Sequence, residues 1–541
     1  MAKQTSGTFR TFALAATVLA MMMAISFIPP LYAEDFTLRR TNIFSELYSF
    51  GDSKPERLLP PEVDVDDFDV DMDDVAEQVA VVQEQIAPTA ETSISWNMMS
   101  EDMTAYVADT LAREPAEAVV AAAFDERDFL ALLPGEEQIV KVEDFGDSLT
   151  SPLQLLYDKL LSGKAVHIGF MGDSFTENDI LTADLRSMLQ ELFGGGGVGY
   201  APFASPHASY RRTVKTTSSG WKPYHIILDS RIPEPYSGDF FVSGWVARAS
   251  EGASTLWQLT DAVAHSSECD VARLYFIARH DAELQLSLEE QDSTFTVVGG
   301  DEVRQVVMRK ERIASLRARV LSGAEGFTAI GAEFYSEGGL SLDNLSIRSN
   351  NGQALLRSNP SVNAQINQMH PYDLIILQYG LNILTAERKN YSLYAEQVVK
   401  IVRYVEQCFP GAAIIIMGVS DRSAKDENGN FVPMESARNL AWWQREAADS
   451  CGVAFWNTHE AMRRKGGMDA FVEKGWAGKD YTHIGYGGGR QVARSMFHAL
   501  VWGVHTRQQH LRHEEELRQS VLTDSVKDSV NSVILRNDRD F

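Results

Sequence analysis

Cysteine is scarce: 541 residues contain only Cys269, Cys408 and Cys451, and no two of them form a C-x-x-C pair. That excludes a cysteine-framed zinc site and a disulfide scaffold. Basic residues are also few, with 49 Lys and Arg against 75 Asp and Glu. Nucleic-acid binders concentrate cations on one surface, so no nucleic acid is expected as a partner. Long apolar runs are limited to one, at the N-terminus. Hydrophobic residues at 44% and aromatics at 10% are enough for sizeable cores, and the length allows two or three folded units. The formal charge of −26 is uneven: residues 51–150 hold −21 of it, leaving −5 for the other 441.

Lys3 and Arg10 precede a run from Phe12 to Ile28 in which only Thr17 and Ser26 are polar. The run is at the short end of what spans a bilayer, and Leu31-Tyr32-Ala33 also offers a signal-peptidase site. Residues 1–33 therefore read as a membrane anchor or a cleaved signal, with the N-terminus held in the cytoplasm by its charge. The remainder is expected in the cell envelope, either anchored to the inner membrane facing the periplasm or secreted to the periplasm. Residues 34–140 carry nine acids in the sixteen from Glu62 to Glu77 and read as an acidic, disordered tether. The cluster lacks the Gly and terminal Glu of an EF-hand loop. Short helices are open within Met103 to Leu133.

From Pro152 the pattern changes. PLQLLYDKLLSG has helical spacing, AVHIGFMGDS is a short apolar run ending in a polar turn, and Ile180 to Phe193 is helical again. Strand, tight turn and helix in that order begin a parallel α/β sheet. The unit recurs at Asp373 to Gln378, Tyr391 to Cys408, Ala412 to Val419, Glu435 to Ser450 and Val453 to Asn457. Between 205 and 345 the period becomes two. Leu284, Leu286 and Leu288 alternate with polar residues, as do Leu316, Ala318 and Val320, and similar stretches recur about every ten residues. Eight or nine half-buried strands at that spacing predict an antiparallel β-sandwich inserted in the α/β domain. Residues 504–541 are a polar surface helix or frayed tail.

Ser174, in Gly172-Asp173-Ser174, ends the first apolar run at the sheet edge where parallel α/β domains bind ligands. A helix following directly would place its N–H near a helix N-terminus, though a plain turn with a helix cap accounts for the tripeptide alone. Asp480 stands three residues before His483, a spacing that lets the carboxylate orient the imidazole while the other ring nitrogen takes a serine proton. Asn382, directly after a buried strand, offers an amide to developing negative charge. All three fall at the ends of α/β units.

On these motifs the chain resembles the SGNH (GDSL-like) hydrolases, within them the peptidoglycan O-acetylesterase and O-acetyltransferase subset. Gly172-Asp173-Ser174, Gly380-Leu381-Asn382 and Asp480-x-x-His483 carry the likeness. It spans residues 141–204 and 346–503, which become the two parts of the hydrolase domain, and 205–345 resembles that subset's carbohydrate-binding-module-like insert. The resemblance implies a flavodoxin-like three-layer α/β fold. It also implies an oxyanion hole of the Ser174 N–H, the Asn382 amide and the Gly352 N–H, with Gly339 a rival to Gly352. Asn178 stands where the family often has Gly, and Asn tolerates the left-handed conformation needed there.

The glycines Gly194 to Gly197 follow a helix and read as a turn, not a phosphate loop. His207, His225, His265, His280, His370 and His459 lack metal-ligand spacing and read as surface or core. Trp221 and Trp245 are candidate glycan contacts, with core packing as the plainer reading for each, as for Tyr224 and Trp257. Cys408 and Cys451 each follow a helix and precede a strand, which leaves a disulfide open. The expectation is a serine esterase acting on O-acyl, chiefly O-acetyl, groups of an envelope glycan, with no cofactor or metal. A membrane O-acyltransferase is a candidate partner. Transfer of acetyl to a glycan hydroxyl, or glycan binding without catalysis, are the alternatives.

Overall fold

Val166–Gly172, buried at every residue, forms strand β1, one strand in from the edge of a parallel sheet. The other parallel strands are β2 (Leu340–Asn344), β3 (Leu374–Gln378), β4 (Ala413–Met417) and β5 (Ala454–Trp456), in the spatial order β2-β1-β3-β4-β5. Glu143–Asp144 pairs antiparallel with β5. Continuous apolar strands need helices on both faces. Helices α1 (Pro152–Leu161), α2 (Thr182–Phe193) and α6 (Tyr486–Asn537) pack together, as do α3 (Pro360–Met369), α4 (Ser392–Cys408) and α5 (Glu435–Cys451). In α4, Tyr394, Val398, Ile401, Val402 and Val405 are buried at helical spacing. Helices α1 and α3 begin alike: Ser151 and Asn359 cap backbone N–H groups, and proline occupies the first turn, where its missing donor costs nothing. Strand order 2-1-3-4-5 is the flavodoxin-like order, with its ligand crevice at the carboxyl ends of β1 and β3.

The computed structural model describes residues 31–33, 36–38, 72–84, 103–109 and 126–537, apart from 148, 230 and 290. Contacts divide the chain into Met1–Val65 and Asp66–Phe541. In the first unit Leu31–Ala33 pairs with Phe36–Leu38 as a hairpin; the apolar run from Phe12 to Ile28 lies outside the described residues. Among those described, no helix is long and apolar enough to cross a membrane.

Between β1 and β2 an antiparallel β unit is inserted. Its strands, with Gly199–Ala201 and Met103–Asp109, form one ten-stranded sheet in place of two separate ones. The halves meet where Phe327–Tyr335 pairs with Trp245–Leu259 at Thr328↔Arg248 and Ala329↔Ala247. Leu284, Leu286, Leu316 and Val320 from one half share an apolar cluster with Leu274, Phe276, Val306 and Met308 from the other, so the sheet folds back over its own core.

Four boundaries differ from the sequence reading. Leu340–Asn344 belongs to the parallel sheet, not the insert. Its alternating pattern misled because Asp343 is buried, accepting from Tyr372 Oη at 2.7 Å and the Tyr200 N–H at 2.8 Å. Gly199–Ala201 joins the inserted sheet through Phe327–Tyr335, so that sheet starts before 205. The tether is structured in parts: helix Met72–Glu84 buries Val75, Val79 and Val82 against α3 and α4, and Met103–Asp109 is a strand paired with Arg304–Lys310. A one-valine-per-turn stripe was hidden among acids that face solvent. Finally, α6 runs unbroken from Tyr486 into the expected tail, and Arg507 pairs with Asp158 of α1 at 2.7 Å.

Candidate active site

Strand β1 ends at Gly172, where a side chain would collide with Thr176 Oγ1 and Gln378 Oε1, so only glycine lets the chain turn here. Asp173, fully buried, shapes the turn: its Oδ1 accepts from the Phe175 N–H at 2.8 Å, and its carbonyl accepts the N–H groups of Thr176 and Glu177. Burial raises the Asp173 pKa to about 7, although the Phe175 and Gln378 hydrogen bonds pull it down. Asn178 has φ 59 and ψ 31, the left-handed conformation that its place in the motif requires. One expectation fails: α2 begins at Thr182, after a 3-10 turn over Glu177–Asp179, so the Ser174 N–H is not at an α-helix N-terminus.

Across the crevice, the loop before α6 presents the partners. Asp480 Oδ1 accepts the backbone N–H groups of Thr482 and His483, each at 3.1 Å, and Oδ2 meets His483 Nδ1 at 2.7 Å. His483 Nε2 then lies 3.3 Å from Ser174 Oγ. Partial burial would raise the Asp480 pKa, but the hydrogen bonds from His483 and Thr482 prevail and hold it below the usual value. The carboxylate therefore stays ionised and the ring keeps its proton on Nδ1, leaving Nε2 to accept. The loop is braced by Arg422 Nε on Thr482 Oγ1 at 3.0 Å and by Tyr481, φ 53, stacked on Phe431 at 3.8 Å.

Asn382 follows β3, and its Nδ2 donates to Asp173 Oδ2 at 3.2 Å and to the Asn350 carbonyl at 2.7 Å. The Gly352 N–H donates to Asn350 Oδ1 at 2.8 Å. The structure thus brings Ser174, His483, Asp480 and Asn382 together, and puts Gly352 one hydrogen-bonded residue away with its N–H engaged. Gly339 is excluded as its rival: its carbonyl accepts the Val166 N–H at the start of β1, the far end of the strand from Ser174.

Trp245 is 8% exposed and packs edge-on against His225, and half-buried Trp221 packs against Phe203, so both serve the core. Trp257 and Tyr224 are buried as well. Cys408 and Cys451 are free thiols. His225 is buried, and His370 is half-buried, with desolvation and then the His167 charge pushing its pKa well below the usual value. Among the described residues, His167, Glu333 and His370 could hold a metal ion by proximity. Their geometry argues otherwise: the two imidazoles stack at 3.7 Å with planes 16° apart, so their in-plane lone pairs run parallel and do not converge.

Sequence reasoning missed Asn350, whose only signal is the Asn-Asn-Gly turn, and the buried cluster around Asp179. There Arg186, Arg211 and Thr213 converge on one carboxylate, with Arg211 Nε at 2.8 Å, tying the Ser174 turn to the root of the insert. A cavity lies alongside, lined by Glu177, Asn178, Ser205, Ala208, Trp245 and Ser346.

The fold and site thus define a flavodoxin-like α/β domain with an antiparallel β insert and a Ser-His-Asp line across its ligand crevice. Its fold is similar to that of a peptidoglycan O-acetylesterase, at 23% identity and TM-score 0.54, over 68% of this chain and 99% of that one. Family-two carbohydrate esterases from Clostridium thermocellum and Cellvibrio japonicus match more loosely. The first has 11% identity and TM-score 0.21 over 48% of this chain and 96% of its own. The second has 8% identity and TM-score 0.23 over 54% and 98%. No protein-family profile and no curated protein matches the chain.

Proposed function

We propose that the chain is an exported serine esterase that removes O-acetyl groups from a cell-envelope glycan. The observation that carries this is the line from Ser174 Oγ through His483 Nε2, at 3.3 Å, to Asp480 Oδ2 on Nδ1, at 2.7 Å. Ser174 Oγ attacks the ester carbonyl as Nε2 takes its proton. The Ser174 N–H and Asn382 Nδ2 face the oxygen that becomes negative, Nδ2 giving up its longer contact, to Asp173. The imidazolium returns the proton to the departing sugar oxygen and leaves an acetyl-serine. Water, activated by the same Nε2, then releases acetate and restores Ser174. Gly352 joins the oxyanion hole when Asn350 Oδ1 releases its N–H. Side-chain exposure of 51% for His483 and 42% for Asp480 opens the acyl-enzyme to water, which favours hydrolysis over transfer to a glycan hydroxyl. The segment before Glu34 supports export through its apolar run.

The test is acetate release from O-acetylated cell-wall polymer and from an aryl acetate. Ser174→Ala should abolish both. Equal release by wild type and variant would remove Ser174 from the chemistry.

A further inference from the structure

Arg422 stands on the segment that follows β4 and reaches the two segments that carry Asn382 and His483. Its backbone is fixed on both sides. Gln444 of α5, buried, donates to the Tyr379 carbonyl at 2.8 Å and accepts the Val419 N–H at 2.8 Å, which ties the ends of β3 and β4 together. Asp421 is fully buried, and its Oδ2 accepts the Met468 N–H at 2.8 Å. Beyond it, the Arg422 carbonyl accepts the Met434 N–H at 2.8 Å, and the Ser423 N–H donates to the Tyr481 carbonyl at 3.2 Å. The Arg422 side chain therefore leaves from a framework with little freedom to shift.

From that framework one guanidinium makes two contacts. Nε donates to Thr482 Oγ1 at 3.0 Å, and Nη1 reaches the Leu384 carbonyl at 3.4 Å. Thr482 directly precedes His483, and Leu384 lies two residues past Asn382. An arginine has no acceptor, so the Thr482 hydroxyl must accept from it and turn its own proton to the Asp480 carbonyl, 3.0 Å away. The hairpin that begins at Ser423 pairs Ser423–Lys425 with Phe431–Pro433, and its Phe431 ring stacks on Tyr481 at 3.8 Å. Tyr481 needs such support, because its φ of 53 is costly for a non-glycine residue. The loop before α6 is thus gripped at Tyr481 and Thr482, and the grip on Thr482 extends to the Asn382 segment.

We infer that Arg422 is a positioning residue: it sets the distance between His483 and Asn382, and so lets both act on one ester at the same moment. The inference rests on the esterase reading and adds a residue to it. In that reading Nε2 of His483 moves a proton while the Asn382 amide faces the charge that builds on the carbonyl oxygen, so their spacing matters as well as the placement of each. Ser174 Oγ and His483 Nε2 are 3.3 Å apart, at the long end for a hydrogen bond, and a small drift of the loop would break it. A planar guanidinium holds its donors at a fixed separation, whereas an ammonium on a flexible stem does not.

The experiment measures kcat, KM and Tm with an aryl acetate and with O-acetylated cell-wall polymer. Arg422→Ala should lower kcat for both esters by the same factor, about 10- to 100-fold, with KM little changed. Arg422→Lys keeps the charge and one donor. It should hold Tm near that of wild type yet recover only a small part of kcat, which separates misplacement from loss of fold. Methylguanidinium added to Arg422→Ala should restore part of kcat, and added to Asp480→Asn it should restore none. Because Arg422 also acts through the Asn382 segment, the loss on combining Arg422→Ala with Asn382→Ala should fall well short of the product of the two single losses. Losses that multiply overturn the inference. Full recovery of kcat together with Tm in Arg422→Lys overturns it too, since that marks a structural charge, as does a rise in KM for the polymer alone, which marks a substrate contact. Absence of Ser174-dependent turnover of either ester by wild type overturns the esterase reading as well.

Discussion

At the scale of single residues, the site depends on a few polar atoms whose partners are now known. Asn382 donates both to Asp173 and to the Asn350 carbonyl, so Asn382→Ala should lower kcat by about 10² to 10³ with KM little changed, as expected for a donor used chiefly in the transition state. A change confined to KM would mark it as a substrate contact. Asp480→Asn keeps the shape of the loop but removes the charge that fixes His483, and a loss of about 10⁴ in kcat is expected. Near-normal steady-state rates in that variant would show that the histidine is oriented by something else. Trp245 was a sugar-stacking candidate by residue type alone. With 8% exposure and an edge contact to His225 at 4.4 Å, its replacement by Ala should cost about 3 to 5 kcal/mol of stability, read as a lower urea midpoint. An unchanged midpoint would put its ring outside the core.

At the scale of elements, what holds the site is the anchoring of loops to the sheet. Asp179 lies on the turn that follows Ser174, and the attraction of Arg186 and Arg211 outweighs the burial that opposes it, depressing its pKa strongly. Replacing it with Ala leaves two guanidinium groups buried without their partner, a loss of about 3 to 5 kcal/mol. The docked helix Met72–Glu84 is a second anchor. A chain beginning at residue 141 lacks Val75, Val79 and Val82, which are at most 5% exposed, together with the strand Met103–Asp109. It should melt at a lower temperature than one beginning at residue 66, and coincident melting would show that this helix adds nothing to the fold. The same elements show what sequence could reveal. The parallel strands were legible because both faces are apolar, and the candidate site was legible because Ser174 and Asn382 follow the ends of such strands and Asp480-x-x-His483 directly precedes the last helix, α6. The helix at 72–84 was hidden because composition over a long acidic window outweighs three valines. Strand β2 was misplaced because Asp343 finds its partners, His167, Tyr200 and Tyr372, on distant segments. Asn350 was invisible because its contacts exist only once β2, β3 and the Ser174 turn are brought together.

At the scale of the whole molecule, a buried polar seam joins the inserted sheet to the parallel one and fixes how stability depends on pH. His167 on β1 meets Asp343 on β2 at 2.9 Å, His370 meets Glu333 of the insert at 2.8 Å, and Arg273 reaches the Met369 carbonyl at 2.8 Å. Burial and the nearby Asp343 charge raise Glu333 to about 8, and burial raises Asp173 to about 7. Burial would lower His167, but Asp343 raises it on balance. Burial lowers His225 to about 4 and His370 well below its usual value. Below about pH 6.5 the unfolded chain protonates His225 and His370 while the fold does not, so stability rises with pH. Over the same range Asp173 and Glu333 act oppositely, being protonated in the fold and ionised when unfolded. The two effects offset, and partly buried His207, His459 and His498, also lowered mainly by burial, tilt the sum towards rising stability. Above about pH 6.5 the unfolded histidines are neutral and those terms vanish. Asp173, Glu333 and His167 then still hold protons that the unfolded chain has lost, so stability falls with pH by about 1.4 kcal/mol per pH unit for each unbalanced proton, until each group titrates in the fold. The urea midpoint should therefore peak near about pH 6.5 and decline by about pH 8.5, and Glu333→Gln, which can still accept from His370, should flatten that decline. A midpoint that keeps climbing across the alkaline range would mean that these carboxyls are ionised inside the fold at neutral pH, and that the seam is held as a charged network instead of a largely protonated one.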